Sequence, residues 1–330
     1  MKNSFDAIRE QLGNLNSDKN PRFWDDRTKG RAPHKPFLLL SILDGVEQGW
    51  ITTNRIRLNQ DLIDSFFTYW NAVMGADRST TIALPFFYMK SERFWELVYN
   101  AGYREYQNAP SLGGLQERVA YAEIDTQFFE FFSDAGYGRQ IRSFLIDHYF
   151  SPDAAKIVAE IGSFNVQSYQ YSLELESIAA EPFVMYHAGE KKKKYRTGNV
   201  QVRERGFSRV VKNNYQYTCA ICRNRVVTPG GQTLVEGAHI IPWNKSNNDD
   251  PRNGLSLCRS HHWMFDHYMV TVTTDYKIHF SRWLKDQKNE IGDLWKLNKE
   301  SIFLPEESFL PSVEALGYHN EKFEEFEGSF

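Results

Sequence analysis

Cysteine is scarce in this sequence. It has three in 330 residues, Cys219, Cys222 and Cys258, all in one short stretch. That leaves nothing for a disulfide framework and points to a reducing compartment. Long hydrophobic runs are missing as well: no apolar segment approaches the roughly 20 residues a membrane-crossing helix needs. The opening residues Met1-Lys-Asn-Ser-Phe-Asp6 do not follow the pattern of a signal peptide. The expectation is a cytoplasmic protein with no membrane partner. An excess of one charge is also lacking, with 39 Lys and Arg against 42 Asp and Glu, a net charge of −3. Any contact with nucleic acid must therefore come from local basic patches. There are no internal repeats, which excludes a solenoid.

What is present concentrates between Cys219 and Asp266. The knuckles Cys219-x-x-Cys222 and Cys258-x-x-His261 supply four soft or borderline ligands, the count and type that a closed, structural tetrahedral zinc site requires. Between them lie His239, at the end of an apolar run, and Asn253-Gly254, a turn signal. His262 follows the second knuckle, and Asp266 comes four residues later. Upstream, Arg203, Arg205, Arg209 and Lys212 decorate a predicted helix whose apolar positions are Phe207, Val210, Val211 and Tyr215. Such a density of positive charge suits contact with a DNA backbone. The run Glu190 to Arg196 reads as a solvated, basic linker.

The order His239, Asn253, His262 inside a zinc ribbon resembles the HNH nucleases of the ββα-metal fold, over about the last third of the chain. The resemblance implies that His239 is the general base, taking a proton from the water that attacks the phosphodiester. An imidazole with an ordinary pKa of ~6.5 is largely neutral at physiological pH and suits that task. It implies that Asn253 ties the loop across the two strands and so aims His239. His262 and Asp266, at helical i, i+4 spacing, project from one face and are expected to hold one divalent ion, Mg2+ or Mn2+, with nickel or zinc as substitutes. That ion would stabilise charge on the transition state and on the departing oxygen. Many members of the family carry a second metal ligand just before the base. Ala238 stands there in this chain, leaving Glu236 or Asp266 to compensate.

The first half reads as helices around Phe5, Ile8 and Leu12, from Pro36 to the Gly45–Gly49 region, and over 58–73. An aromatic hairpin is predicted over 84–95, and further helices over 124–132 and 139–149. Ala32-Pro33-His34-Lys35-Pro36 opening an apolar helix, together with Leu84-Pro85-Phe86-Phe87-Tyr88 and Phe94-Trp95, resembles the sulfur-recognising DNA-binding domain. That domain precedes HNH modules in modification-dependent (type IV) restriction endonucleases that target phosphorothioated DNA. The resemblance spans about residues 5–150. It implies an apolar pocket that accepts the large, weakly hydrated sulfur, whereas an ordinary phosphate oxygen would lose its water there without replacement. Pro85 matches the family's proline, while Leu84 replaces a tyrosine and Tyr88 a small residue. Arg31, His34 and Lys35 are the basic groups expected to hold the rest of the phosphate.

The expected architecture is α+β. A mixed α/β DNA-recognition domain would cover 1–165, a connector and basic linker 166–200, a zinc-stabilised HNH nuclease domain 201–290, and an acidic helical tail 291–330. The expected function is a type IV-like restriction endonuclease acting on phosphorothioated double-stranded DNA, as a homodimer because one site per chain must cut two strands. The alternatives are an HNH nuclease reading another modification or plain DNA, and a non-cleaving DNA-binding protein that keeps its zinc for structure.

Overall fold

The computed structural model describes residues 4–105, 108, 111–184, 200–286 and 292–329; the charged run 190–196 lies outside them. The chain divides into two units, 1–167 with 228–232, and 168–227 with 233–330. Among the described residues no helix is long and apolar enough to cross a membrane.

The first unit begins with α1 (Ser4–Gly13), α2 (His34–Glu47), β1 (Arg55–Ile56), α3 (Gln60–Met74) and α4 (Ala83–Tyr88). It continues with β2 (Trp95–Tyr99), α5 (Leu112–Arg118), β3 (Val119–Ile124), α6 (Thr126–Ser133) and α7 (Ala135–Tyr149). Helix α8 (Pro152–Ile178) starts here, and the boundary between the units falls inside it. The three strands form an antiparallel sheet in the order β1-β3-β2. Helix α2 is apolar on every side, and Phe37 through Leu40 are completely buried, as an all-round hydrophobic helix must be. Its fully buried carboxylate, Asp44, accepts hydrogen bonds from Ser65 Oγ (2.9 Å), Tyr69 Oη (2.9 Å), Arg142 Nη1 (2.8 Å) and Asn165 Nδ2 (2.7 Å). These bonds satisfy the carboxylate and fasten α2 to α3, α7 and α8.

One expectation is corrected here. Residues 84–95 do not form an aromatic hairpin: 83–88 is helical, 89–91 is a 3-10 turn, and the strand starts only at Trp95. Pro85 sits in the first turn of α4, where its missing N–H forfeits no intrahelical bond. With Phe86 and Phe87 both buried, the alternation seen in the sequence is one turn of a buried helix.

The second unit contains α9 (Val200–Asn214), β4 (Val235–His239), α10 (Trp243–Ser246), β5 (Gly254–Cys258) and α11 (Arg259–Asp266). After these come β6 (Val270–Val272), β7 (Ile278–Phe280), α12 (Trp283–Asp286) and α13 (Val313–Gly328). β4 pairs antiparallel with β5, and His239 stands opposite Gly254. β6 pairs antiparallel with β7, Val270 standing opposite Phe280. Helix α9 lies against the β4–β5 hairpin, and glycine is what lets it come so close. A Cβ on Gly237 would sit 2.7 Å from Ser208 Cα, and one on Gly254 2.5 Å from Val211 Cγ2. Gly254 is extended (φ −134°), so it is needed for this close packing and does not make the turn that Asn-Gly implied. The stretch 291–330 contributes α13, whose Ala315, Leu316, His319 and Phe323 are buried.

Candidate metal centre and active site

The knuckles are built by the backbone first. Cys219 N–H donates to the Asn224 carbonyl at 3.0 Å, Arg223 N–H donates back to the Cys219 carbonyl at 2.9 Å, and Arg223 takes a left-handed φ of 57°. Cys258 ends β5 and begins α11, which places His261 in that helix's first turn. The side-chain donors of Cys219, Cys222, Cys258 and His261 all lie within 4.8 Å of one another. His261 Nδ1 faces the sulfurs, 3.1 Å from Cys258 Sγ and 3.5 Å from Cys219 Sγ. Hydrogen bonds with Cys222 and Cys258 push the Cys219 thiol up, while those with Cys219 and Cys222 hold Cys258 down, so the cluster shares protons that a cation would displace. Three converging thiols with no disulfide and one inward imidazole fit Zn2+.

His239 leaves the end of β4 toward α9. Its ring lies flat on Phe207, with centroids 3.8 Å apart and planes 6° apart. Its Nε2 is 2.8 Å from Asp249 Oδ1. Asp249 is completely buried and also accepts from Arg203 Nη1 (3.0 Å) and Tyr171 Oη (2.7 Å). Burial alone would raise the Asp249 carboxyl; the bonds from His239 and Tyr171 and the charge of Arg203 outweigh it and hold the pKa below the usual range.

Asn253 is fully buried with both ends of its amide used. Nδ2 donates to the carbonyls of Ile241 (3.1 Å) and Asn248 (3.0 Å), and Oδ1 accepts from Ile241 N–H (2.9 Å). It thus joins the chain after His239 to the loop that carries Asp249.

His262, on α11, lies beside Glu236 of β4. Glu236, three residues before His239, meets it there: Glu236 Oε2 is 3.0 Å from His262 Nδ1, and Glu236 Oε1 accepts from Arg259 at 3.2 Å. Asp266 Oδ2 lies 3.6 Å from His262 Nε2. The structure therefore groups Asn253 with His239, and His262 with Glu236 and Asp266. Among the described residues, only the Cys/His cluster brings three or more metal-capable groups to one point. Ala238, where a further ligand was sought, is buried opposite Leu255 and offers none.

The basic helix needs correction. Arg203 is buried, stacked on Trp243 with its guanidinium carbon 3.8 Å from the ring centroid, and committed to Asp249. Arg209 donates to Ser172 Oγ (2.9 Å), lies near Glu176 (3.5 Å) and covers Tyr169. Buried Arg203 presents nothing to a DNA backbone; Arg205, Arg209 and Lys212 are half-buried. Asp249 and Tyr171 were missed by sequence reading, and Phe207 was read only as an apolar position of its helix. Asp249 sits in the polar run 247–250, which looks like a turn and nothing more.

In the first unit, a cavity of 470 Å³ is lined by His34, Lys35, Leu84, Pro85 and Tyr88, together with Trp24, Ala32, Asp18 and others; Arg31 does not line it. Leu84 and Tyr88 are exposed at its mouth and Pro85 is buried. Its basic groups differ from expectation. Lys35 is buried against Glu92, Nζ to Oε1 2.5 Å, with a second bond to Ser91 Oγ. Burial lowers its pKa despite that partner. His34 packs between Trp24 and Trp70, and burial, helped by the nearby charge of Arg78, pushes its pKa down to about 4. At neutral pH the imidazole is uncharged and the ammonium is matched by a carboxylate, so the cavity has no spare positive charge.

Residues 219–273 match the model of the HNH endonuclease family. This part of the chain is similar to an HNH endonuclease module, and the activity it points to is hydrolysis of DNA phosphodiester bonds. No curated protein sequence matches the chain. One solved structure to which part of the chain is similar is the modification-dependent TagI restriction endonuclease, at 20% identity and a TM-score of 0.27. The match covers 35% of this chain and 36% of that one, so the chain spans little more than a third of that protein.

Proposed function

From the HNH endonuclease match over residues 219–273, we propose that the whole chain is a modification-dependent DNA endonuclease that reads phosphorothioated duplex in its first unit and cuts it with its second. The observation that carries the reading is the cavity. His34, Lys35, Leu84, Pro85 and Tyr88 were picked out by resemblance alone, and all five line one concave space. With Lys35 neutralised by Glu92, that space offers little to a fully hydrated phosphate oxygen. A sulfur, larger and softer, gives up less water on entering it.

In the second unit, His239 is the base and Asn253 holds its loop. His262 Nδ1 carries the proton it donates to Glu236, leaving Nε2, on the Asp266 side, for a Mg2+ or Mn2+ ion; a carboxylate behind a ligating histidine is a common arrangement. Such an ion, when bound, supplies charge stabilisation at the scissile phosphate. The Cys219, Cys222, Cys258 and His261 site holds structural zinc. Arg205 and Lys212 remain as backbone contacts, and two chains act together on the two strands.

The test is titration of the full chain with two duplexes identical but for one sulfur. Tighter binding of the sulfur duplex is expected, by roughly 10-fold or more if one uncompensated polar burial separates them. Leu84→Asn, at the exposed mouth, should narrow that gap. Equal affinity for both duplexes, with sulfur in either stereochemical configuration, would remove the sulfur reading. A second reading is favoured by Trp24, which lines the cavity beside His34: aromatic walls also suit an extruded modified base. Preference for a base-modified duplex in the same titration would select it.

A further inference from the structure

We infer that Asp249 is the positioning residue for His239, fixing which ring nitrogen is free to act; the inference rests on the proposed role of His239 as base. Asp249 is completely buried and accepts from Arg203 and Tyr171 as well as facing His239 Nε2 at 2.8 Å. A carboxylate that already takes two donors is ionised and only accepts, so the shared proton resides on Nε2. Nδ1 is then the unprotonated nitrogen, the one able to take a proton from water. Phe207, flat against the ring at 3.8 Å, prevents the imidazole from rotating to exchange its two nitrogens. Asn253 holds the carbonyl of Asn248, one residue before Asp249, at 3.0 Å, so the buried asparagine positions the base through this carboxylate's loop. The basic residue Arg203 therefore serves the site from behind: it keeps Asp249 charged and in place.

The experiment uses the full-length, zinc-loaded chain and two readouts. The first is the 15N signature of the His239 ring. Wild type should give the Nε2–H tautomer, and Asp249→Asn, whose amide can turn its NH2 toward the ring, should shift the population toward Nδ1–H. The second is single-turnover nicking with Mn2+. Asp249→Asn should slow it by roughly 10²- to 10⁴-fold, the scale seen when a base is held in the wrong tautomer, with DNA affinity within about twofold of wild type. Asp249→Glu should recover part of the rate. If Asp249→Asn fails to fold, Tyr171→Phe, which removes one neutral bond to Asp249, should still lower the rate several-fold. An unchanged tautomer in Asp249→Asn, or in Tyr171→Phe an unchanged rate, overturns the inference. If wild type cuts no DNA at all, the cleavage reading falls while the tautomer readout still decides the positioning role.

Discussion

His239 and Lys35 were both singled out from sequence, and their surroundings treat them differently. His239 keeps a side chain that is 17% exposed and one ring nitrogen held by Asp249. His239→Ala is therefore expected to lower single-turnover nicking by about 10²- to 10⁴-fold, the usual worth of a general base. Duplex affinity should stay near wild type, since a base acts in the chemical step and affinity comes from backbone contacts elsewhere. Cleavage by the variant near the wild-type rate would place the base elsewhere. The positions of His239, of Asn253 and of the Cys/His cluster were legible because each belongs to a short motif with fixed spacing. Asp249 was not, because its meaning depends on Arg203 and Tyr171, which are remote in sequence. The partner of Lys35 was hidden for the same reason: Glu92 lies 57 residues away, and nothing local announces it.

At the level of elements, long periodic helices were readable. The bounds of α2 and α3 fall within a few residues of where apolar spacing put them. Residues 83–88 were not readable, since a six-residue aromatic run fits a strand or a turn of helix equally well. Gly254 looked like a turn residue and Gly237 carried no signal, and only the packed α9 explains them. Gly254→Ala should force apart Val211 and Phe207, whose nearest atoms would lie 2.5 and 2.9 Å from the new carbon. Overpacking of this kind costs about 1–3 kcal/mol. Urea unfolding should register the loss, and Val211→Ala in the same chain should recover part of it; strictly additive losses would show that the two sites are independent. The ribbon should depend more heavily on a zinc ion at its Cys/His cluster. Cys258→Ser should abolish binding of about one zinc per chain and unfold the β4–β5 region, because a structural zinc contributes on the order of 10 kcal/mol to such folds. A metal-free wild-type ribbon with native hydrogen-exchange protection would contradict this.

Over the whole molecule, acid should act on both units through buried histidines. His34 in the first and His319 in the second each have a pKa pushed down to about 4 by burial. His319 lies flat on Phe265 with ring centroids 3.7 Å apart, beneath the helix that carries His262. Its Nε2 is 3.2 Å from the Phe265 carbonyl and its Nδ1 2.7 Å from Thr271 Oγ1, a pair of bonds that the neutral Nε2–H form satisfies. In the unfolded chain these rings titrate near ~6.5, so between that value and about 4 the unfolded state binds more protons than the folded one. Stability is therefore full above the unfolded pKa and is lost as pH falls through that window. The loss is about 2 kcal/mol per histidine between pH 7 and pH 5. Urea midpoints measured at the two pH values should fall accordingly. NMR titration of the native chain should place both rings far below ~6.5. His34→Gln, with an uncharged ring replacement beside Trp24 and Trp70, should flatten the dependence reported by tryptophan fluorescence. Release of zinc on acidification is told apart by measuring metal in the same samples. If His34 titrates near ~6.5 in the folded protein, or the urea midpoint is flat from pH 7 to pH 5, the buried-histidine account fails.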